Sequence, residues 1–167
     1  MTATDIRAPS VVIRPPSPTD LPALTDLLSQ LGYPATPPAV RARLDRLAGQ
    51  ANVTVLVADR GGEPVGLATA HILDVIHADA ALAILTALVV GEAHRHHGIG
   101  RSLVDAAETW AIQRGASRIT VATGLARAGA HAFYERLGYE HTARRYAKDL
   151  GGAKRSANAG GRAASVT

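Results

Sequence analysis

Apolar positions recur along this chain in two rhythms, one of three to four residues and one of two. Leu21, Leu24, Leu27, Leu28 and Leu31 keep helical spacing. Ser17-Pro18-Thr19-Asp20 supplies the start: a capping hydroxyl, a proline suited to the first helical position, and an acid facing the positive end of the helix dipole. Gly32 ends that helix. Thr36-Pro37 opens a second one, with Val40, Leu44 and Leu47 on one face and Gly49 behind it. Residues 11–13 and 53–59 are β-rich. The turn Arg60-Gly61-Gly62-Glu63 and a further strand to Leu73 predict a hairpin. Residues 71–80 read as a polar connection. Residues 81–90 are apolar throughout and predict a strand buried on both faces.

The second half alternates strand and helix. After a loop at 91–97, Ile99, Leu103, Ala107, Trp110 and Ala111 form one stripe on a helix over 98–114, ended by Gly115. Residues 119–122 predict a strand, 128–137 a short helix stopped by Gly138, and 139–148 a last strand. The order β, α, α, β, β, β, α, β, α, β predicts a mixed α/β sheet in one domain, antiparallel strands first. There is no internal repeat.

At 167 residues with 47% hydrophobic and 19% charged content, the chain is long enough to bury one core. It has no cysteine, which excludes disulfides, thiolate metal sites and a thiol nucleophile. No apolar run approaches the ~18 residues of a membrane span, and the polar start lacks a secretory apolar region; both predict the cytoplasm. The net charge of +4 and pI near 10 invite a nucleic-acid reading. Lys154, Arg155 and Arg162 near the C-terminus account for most of that excess. With one Trp, one Phe and four Tyr there is little to stack on bases, so nucleic-acid binding is not expected. The expected organisation is a disordered start at 1–10, a catalytic-size domain at 11–150, and a disordered basic tail at 151–167.

The densest chemical signal is Arg95-His96-His97-Gly98-Ile99-Gly100-Arg101-Ser102, between the strand ending Leu88-Val89-Val90 and the following helix. Glycines at 98 and 100 let a ligand approach the backbone. Amides at a helix start point outward unpaired, at the positive end of the dipole, which suits a diphosphate. Arg95 and Arg101 add charge-assisted donors. A P-loop would need Gly-Lys-Ser/Thr, whereas Gly100 precedes Arg101-Ser102. A dinucleotide fingerprint would need glycine at position 103, which is Leu103.

This strand, loop and helix resemble motif A of the GCN5-related N-acetyltransferases. The run Arg127-Ala128-Gly129-Ala130-His131-Ala132-Phe133-Tyr134-Glu135-Arg136-Leu137-Gly138-Tyr139 resembles the same family's motif B. The resemblance covers about residues 11–150. It implies the single-domain acyl-CoA N-acyltransferase fold, a mixed and mostly antiparallel sheet with flanking helices and a splayed central strand pair. It implies acetyl-CoA as co-substrate, no metal, an amine acceptor, and a homodimer as in many relatives. Backbone groups at Leu88, Val89 and Val90 would pair with the pantetheine arm, and residues 96–102 would wrap the pyrophosphate, with Arg127 and Ala130 on the cofactor. Tyr134 stands where the family places the acid that protonates the departing thiolate, and the Val90 amide is the candidate oxyanion donor.

Two departures leave roles open. Arg127 replaces a cofactor-contacting asparagine. Ala122 stands where some members carry a basic glutamate, so no base is assigned there. His71, Asp74, His77 and Asp79 cluster before the central strand; His71, Asp74 and His77 are the candidate substrate contacts, and each alone also reads as solvated connection. His94, His96 and His97 read as loop surface or phosphate contacts rather than zinc ligands. The function expected is acetyl transfer to a primary amine of a small molecule or a protein. A catalytically weak acyl-CoA-binding regulatory module is the alternative.

Overall fold

A computed structural model describes residues 10–123, 128–143 and 146–148, with the backbone alone at Ala128. Strand β1 spans Val11–Arg14, and helices α1 (Leu21–Leu31) and α2 (Pro37–Leu47) follow a single 3-10 turn at Pro18–Asp20. Strands β2 (Val53–Arg60), β3 (Glu63–Leu73) and β4 (Ala81–Val90) form a meander. Helix α3 (Ile99–Gln113), strand β5 (Ala116–Val121) and helix α4 (Ala128–Arg136) complete the described elements. The sheet order is β1-β2-β3-β4-β5, antiparallel except for the parallel pair β4–β5.

Turn chemistry explains most boundaries. Gly32 is left-handed (φ 98°) and its N–H closes α1 onto Ser29 O. The Thr36 side chain accepts from Ala39 N at the start of α2. Gly61 and Gly62 both have positive φ, 65° and 92°, as a tight two-residue hairpin requires.

One overlap is resolved and one expectation is corrected. Residues 71–73, read both as the end of a strand and as the start of the polar connection, belong to β3: His71 pairs with Val53 on one side and Ile84 on the other. The expected last strand does not appear among the described residues: 139–143 and 146–148 carry no ladder. Its sequence lacks an alternating apolar face to hold it down, and Tyr146 is 90% exposed. The expected N-terminal and C-terminal disordered segments, and Arg127, lie outside the described residues.

The two sheet faces are covered by different helices. On one face Ala58, Ala68, Ala70, Leu85, Leu88 and Val90 pack with α3 and α4, through Leu103, Val104, Ala107, Ala130 and Tyr134. On the other, Val57, Leu67 and Val89 pack with α1 and α2, through Leu24, Leu27, Leu31 and Val40. The alternation between them follows the two-residue period of strands.

An ionic knot ties β1 to both α1 and the β2–β3 hairpin. Arg14 reaches Asp20 Oδ2 at 2.7 Å and Asp59 Oδ2 at 2.7 Å. Asp20 also accepts from Ser17 N (2.7 Å), and Asp59 accepts from Gly62 N (2.6 Å). Hydrogen bonds from Arg14 hold both carboxyls below their ordinary range. A depressed carboxyl contributes stability above the unfolded value, about pH 3.9, and loses it as pH falls through the folded value. Asp20→Asn should therefore cost about 2–3 kcal/mol at pH 7, the worth of hydrogen bonds between charged groups. Urea unfolding should show that deficit shrink as pH falls below 4.

Candidate active site

Pairing between β4 and β5 runs from Ala81↔Ala116 to Leu85↔Val121 and ends there, while β4 continues to Val90. The last five residues of β4 thus face a gap on the β5 side. Direction decides which backbone groups open into it. Gly91 N donates to Val65 O on β3, at 2.9 Å. Successive peptide groups of a strand point to opposite sides, so the Val89 N–H also faces β3, and those of Leu88 and Val90 face the gap. The Val90 carbonyl, on the same side, accepts from Arg95 Nε at 3.1 Å.

The gap continues into the turn before α3. Glu92–His94 form one 3-10 turn, held to α1 by Glu92 N donating to Gln30 Oε1 at 3.0 Å. His96 (φ 64°) and Gly98 (φ 78°) are both left-handed, which reverses the chain in three residues. His97 Nδ1 donates to Arg95 O at 2.6 Å, closing the loop on itself. Ile99 is buried in the α3 core. Ser102 N is paired to Gly98 O, leaving the amides of Ile99, Gly100 and Arg101 without an acceptor inside the helix. A cleft of about 440 Å³ lies over them, lined by Val90, Arg95, His96, Gly98, Gly100 and Phe133 among others.

The two arginines of the loop differ. Arg95 is 11% exposed and turned inward, on Val90 O and 3.7 Å from Glu92. It shapes the loop from within. Arg101 is 69% exposed and 3.7 Å from Asp105, so its charge is available above the helix start. The Ser102 hydroxyl donates to Gly98 O at 3.3 Å.

Tyr134 sits on the α3/α4 side of the gap, 7% exposed. Its ring lies edge-on to Phe133 (5.1 Å between centroids) and tilted to Tyr139 (5.4 Å). It lines a second cavity of about 590 Å³ together with Thr120, Val121, Thr123 and His131, at the point where β5 leaves β4. Tyr139 donates to Glu108 Oε1 at 2.8 Å; burial first, and then that bond, push its phenol well up, so it stays protonated. Ala130 is buried one turn before Tyr134.

His71, Asp74 and His77 are not gathered at the α3 start. His71 pairs with Ile84, six residues before Val90, or roughly 20 Å along β4 at the usual rise per residue. Asp74 and His77 lie beyond it, in the β3–β4 connection. Among the described residues no group of three His, Asp or Glu is placed to hold a metal ion. Among them, too, no helix is long and apolar enough to cross a membrane.

Sequence reasoning missed Thr86. It is the extra residue of a bulge between Thr69↔Ala87 and Ala70↔Leu85, just where β5 departs. A lone polar residue in the run Leu85-Thr86-Ala87 was the signal available.

A splayed parallel strand pair that opens onto unpaired helix amides defines an acyl-CoA N-acyltransferase fold. The family model described as the acetyltransferase (GNAT) family matches residues 21–139, and this chain belongs to that family. It is similar to the aminoalkylphosphonate N-acetyltransferase of Salmonella typhimurium, 35% identical over 99 residues, which span 59% of this chain and 64% of that relative. Among solved structures, a transcriptional regulator of Bacillus halodurans superposes with a TM-score of 0.78 at 23% identity, covering 84% of this chain and all of that one. The aminoglycoside N-acetyltransferase AAC(6')-Iy, solved in complex with CoA, gives 0.78 at 21% identity over 89% of this chain and 99% of that one. At those identities the two structures speak for the fold.

Proposed function

We propose that the protein transfers an acetyl group from acetyl-CoA to a primary amine by direct attack. The observation that carries this reading is continuity. The gap-facing amides of Leu88 and Val90 lead directly to the unpaired amides of Ile99, Gly100 and Arg101, so one ligand can pair with the strand and place a diphosphate on the helix start. The pantetheine arm pairs along Leu88 and Val90, with Val89 packing beneath. Residues 96–102 hold the pyrophosphate, Ala130 lies on the α4 side of the cofactor, and Arg127, outside the described residues, is a further cofactor contact. The Val90 amide, or that of Leu88 beside it, stabilises the oxyanion that forms when nitrogen attacks the thioester carbon. As the carbon–sulfur bond breaks, the Tyr134 hydroxyl protonates the sulfur. The acceptor lies on the side of His71, with Asp74 and His77 at its outer end. The named activity of the Salmonella relative and the CoA bound in the aminoglycoside enzyme support this reading.

Titration calorimetry with acetyl-CoA, followed by thiol release against a panel of amines, tests it. Micromolar binding and acceptor-dependent CoA release are expected. Heat without release from any amine would leave a binding module; no heat at all would remove the cofactor assignment.

A further inference from the structure

Acetyl transfer needs a proton acceptor as well as a proton donor, because the attacking amine arrives as an ammonium and leaves as an amide. The helix-covered face that holds Tyr134 supplies the donor. We infer that the opposite face supplies the acceptor: the Thr86 and Thr69 hydroxyls receive the amine and relay its surplus proton to His71. This rests on the acetyltransferase reading above and extends it to the other half of the site.

Strand alternation puts these three side chains on one face. Ala68 and Ala70 pack with α3 and α4, so Thr69 and His71 point the other way. Thr86 is the bulged residue, and its Oγ1 lies 2.7 Å from Thr69 Oγ1 and 3.2 Å from Thr69 O. A bulge re-aims a side chain and ends pairing, and this one sits beside the last β4–β5 pair. The cover from α1 and α2 reaches the row of Val55 and Ala87, whose middle member is Thr69. Beyond it, Thr86 is exposed and His71 is half-buried, so an acceptor can enter there.

Position along β4 then sets the order of the relay. Thr86 is two residues before Leu88, whose amide faces the gap. Ile84, the partner of His71, is two residues before Thr86. From Ile84 to Leu88 is roughly 10–13 Å, at the usual rise and allowing for the bulge, which is too far for an imidazole to reach unaided. The hydroxyl pair lies between the two. On strands β3, β4 and β5 between the gap and the β3–β4 connection, the titratable residues of this face are His71 and Arg118, and Arg118 cannot act as a base; the covering helices α1 and α2 add Asp26 and Asp45, with Tyr33 just after α1. Asp74, His77 and Asp79 follow in the connection, and none of the ion pairs among the described residues involves His71. The ammonium sheds two protons. The first passes through Thr86, Thr69 and a bridging water to the His71 ring, which frees the nitrogen lone pair and later gives that proton to solvent. Nitrogen then bonds to the acetyl carbon, the carbon–sulfur bond breaks, and sulfur takes the Tyr134 proton. The second nitrogen proton restores the Tyr134 hydroxyl, so one proton is released per turnover.

His71→Gln, Thr86→Val and the double variant test this, each assayed for steady-state turnover, acetyl-CoA affinity and thermal unfolding. His71→Gln should lower kcat about 10²-fold, at the lower end of general-base effects, with acetyl-CoA affinity unchanged and partial rescue by added imidazole. Thr86→Val, which keeps a β-branched shape in the strand, should lower kcat and raise KM for the amine. Because both act on one proton path, the double variant should fall within about threefold of the weaker single. The relay is overturned if wild type turns over and His71→Gln does too, or if the single effects multiply in the double variant. It is equally overturned if the variants lose stability or acetyl-CoA affinity in step with kcat, as a purely structural cross-strand pair would. Wild-type protein that binds acetyl-CoA yet acetylates no amine would instead sink the acetyltransferase reading, and this inference with it.

Discussion

Tyr134→Phe should lower kcat about 10²-fold while leaving acetyl-CoA affinity within a factor of two, the signature of a group that acts only as the thiolate departs. The ring is 7% exposed and packed between Phe133 and Tyr139, so phenylalanine keeps the shape of the site and removes only the hydroxyl. Tyr139 makes the comparison informative. Its hydroxyl is committed to Glu108, and burial pushes its phenol up, so it is a poor stand-in as acid. Tyr139→Phe should change stability more than kcat, whereas Tyr134→Phe should do the reverse. Single-turnover thiol release against urea unfolding separates the two. Equal turnover by Tyr134→Phe would leave solvent as the proton source and Tyr134 as a core residue.

How much was legible in the sequence depended on whether a feature was local. The Gly32 stop of α1, the Thr36 cap of α2, the Gly61-Gly62 turn and both ends of β4 depend on residues within a few positions, and each appears where the pattern put it; the start of α1 does not, because Ser17-Pro18-Thr19-Asp20 opens a separate 3-10 turn and α1 begins at Leu21. The glycine turn before α3 was legible for the same reason. Features set by pairing across the sheet were not. His71 reads equally as strand end and as connection until Val53 and Ile84 are beside it. Thr86 looks like an interruption of an apolar strand until the bulge turns its hydroxyl onto Thr69. Arg95 reads as a phosphate ligand by charge, and nothing in its sequence neighbours announces that its guanidinium also meets the Val90 carbonyl, an acceptor that exists because β5 has left that edge free. Strand register and peptide direction are collective properties, and single-residue chemistry does not encode them.

The same contrast decides what the glycines of the turn do, and it yields the second large effect. Gly98 needs its left-handed conformation, and a Cβ there would meet nothing within 4 Å. Gly100 is different: a Cβ there would stand 3.3 Å from Phe133 Cζ and 3.7 Å from Val90 Cγ2. Its role is close approach, letting the first turn of α3 seat against α4 and the end of β4. In Gly100→Val the γ-methyls must enter the Phe133 ring or displace it into the cleft over the helix amides. Either movement disturbs the spacing of the Ile99, Gly100 and Arg101 amides that a diphosphate would bridge. The expected result is a rise of at least 10²-fold in the acetyl-CoA dissociation constant, about 2.7 kcal/mol. Overpacking should add a stability loss of about 1–3 kcal/mol. Gly100→Ala, whose single carbon needs a shift of only a few tenths of an ångström, should weaken binding less than tenfold. Calorimetry on both variants, with circular dichroism to confirm the fold, reads the gradient. A folded Gly100→Val protein that binds acetyl-CoA as tightly as wild type would mean that the diphosphate does not rest on the start of α3.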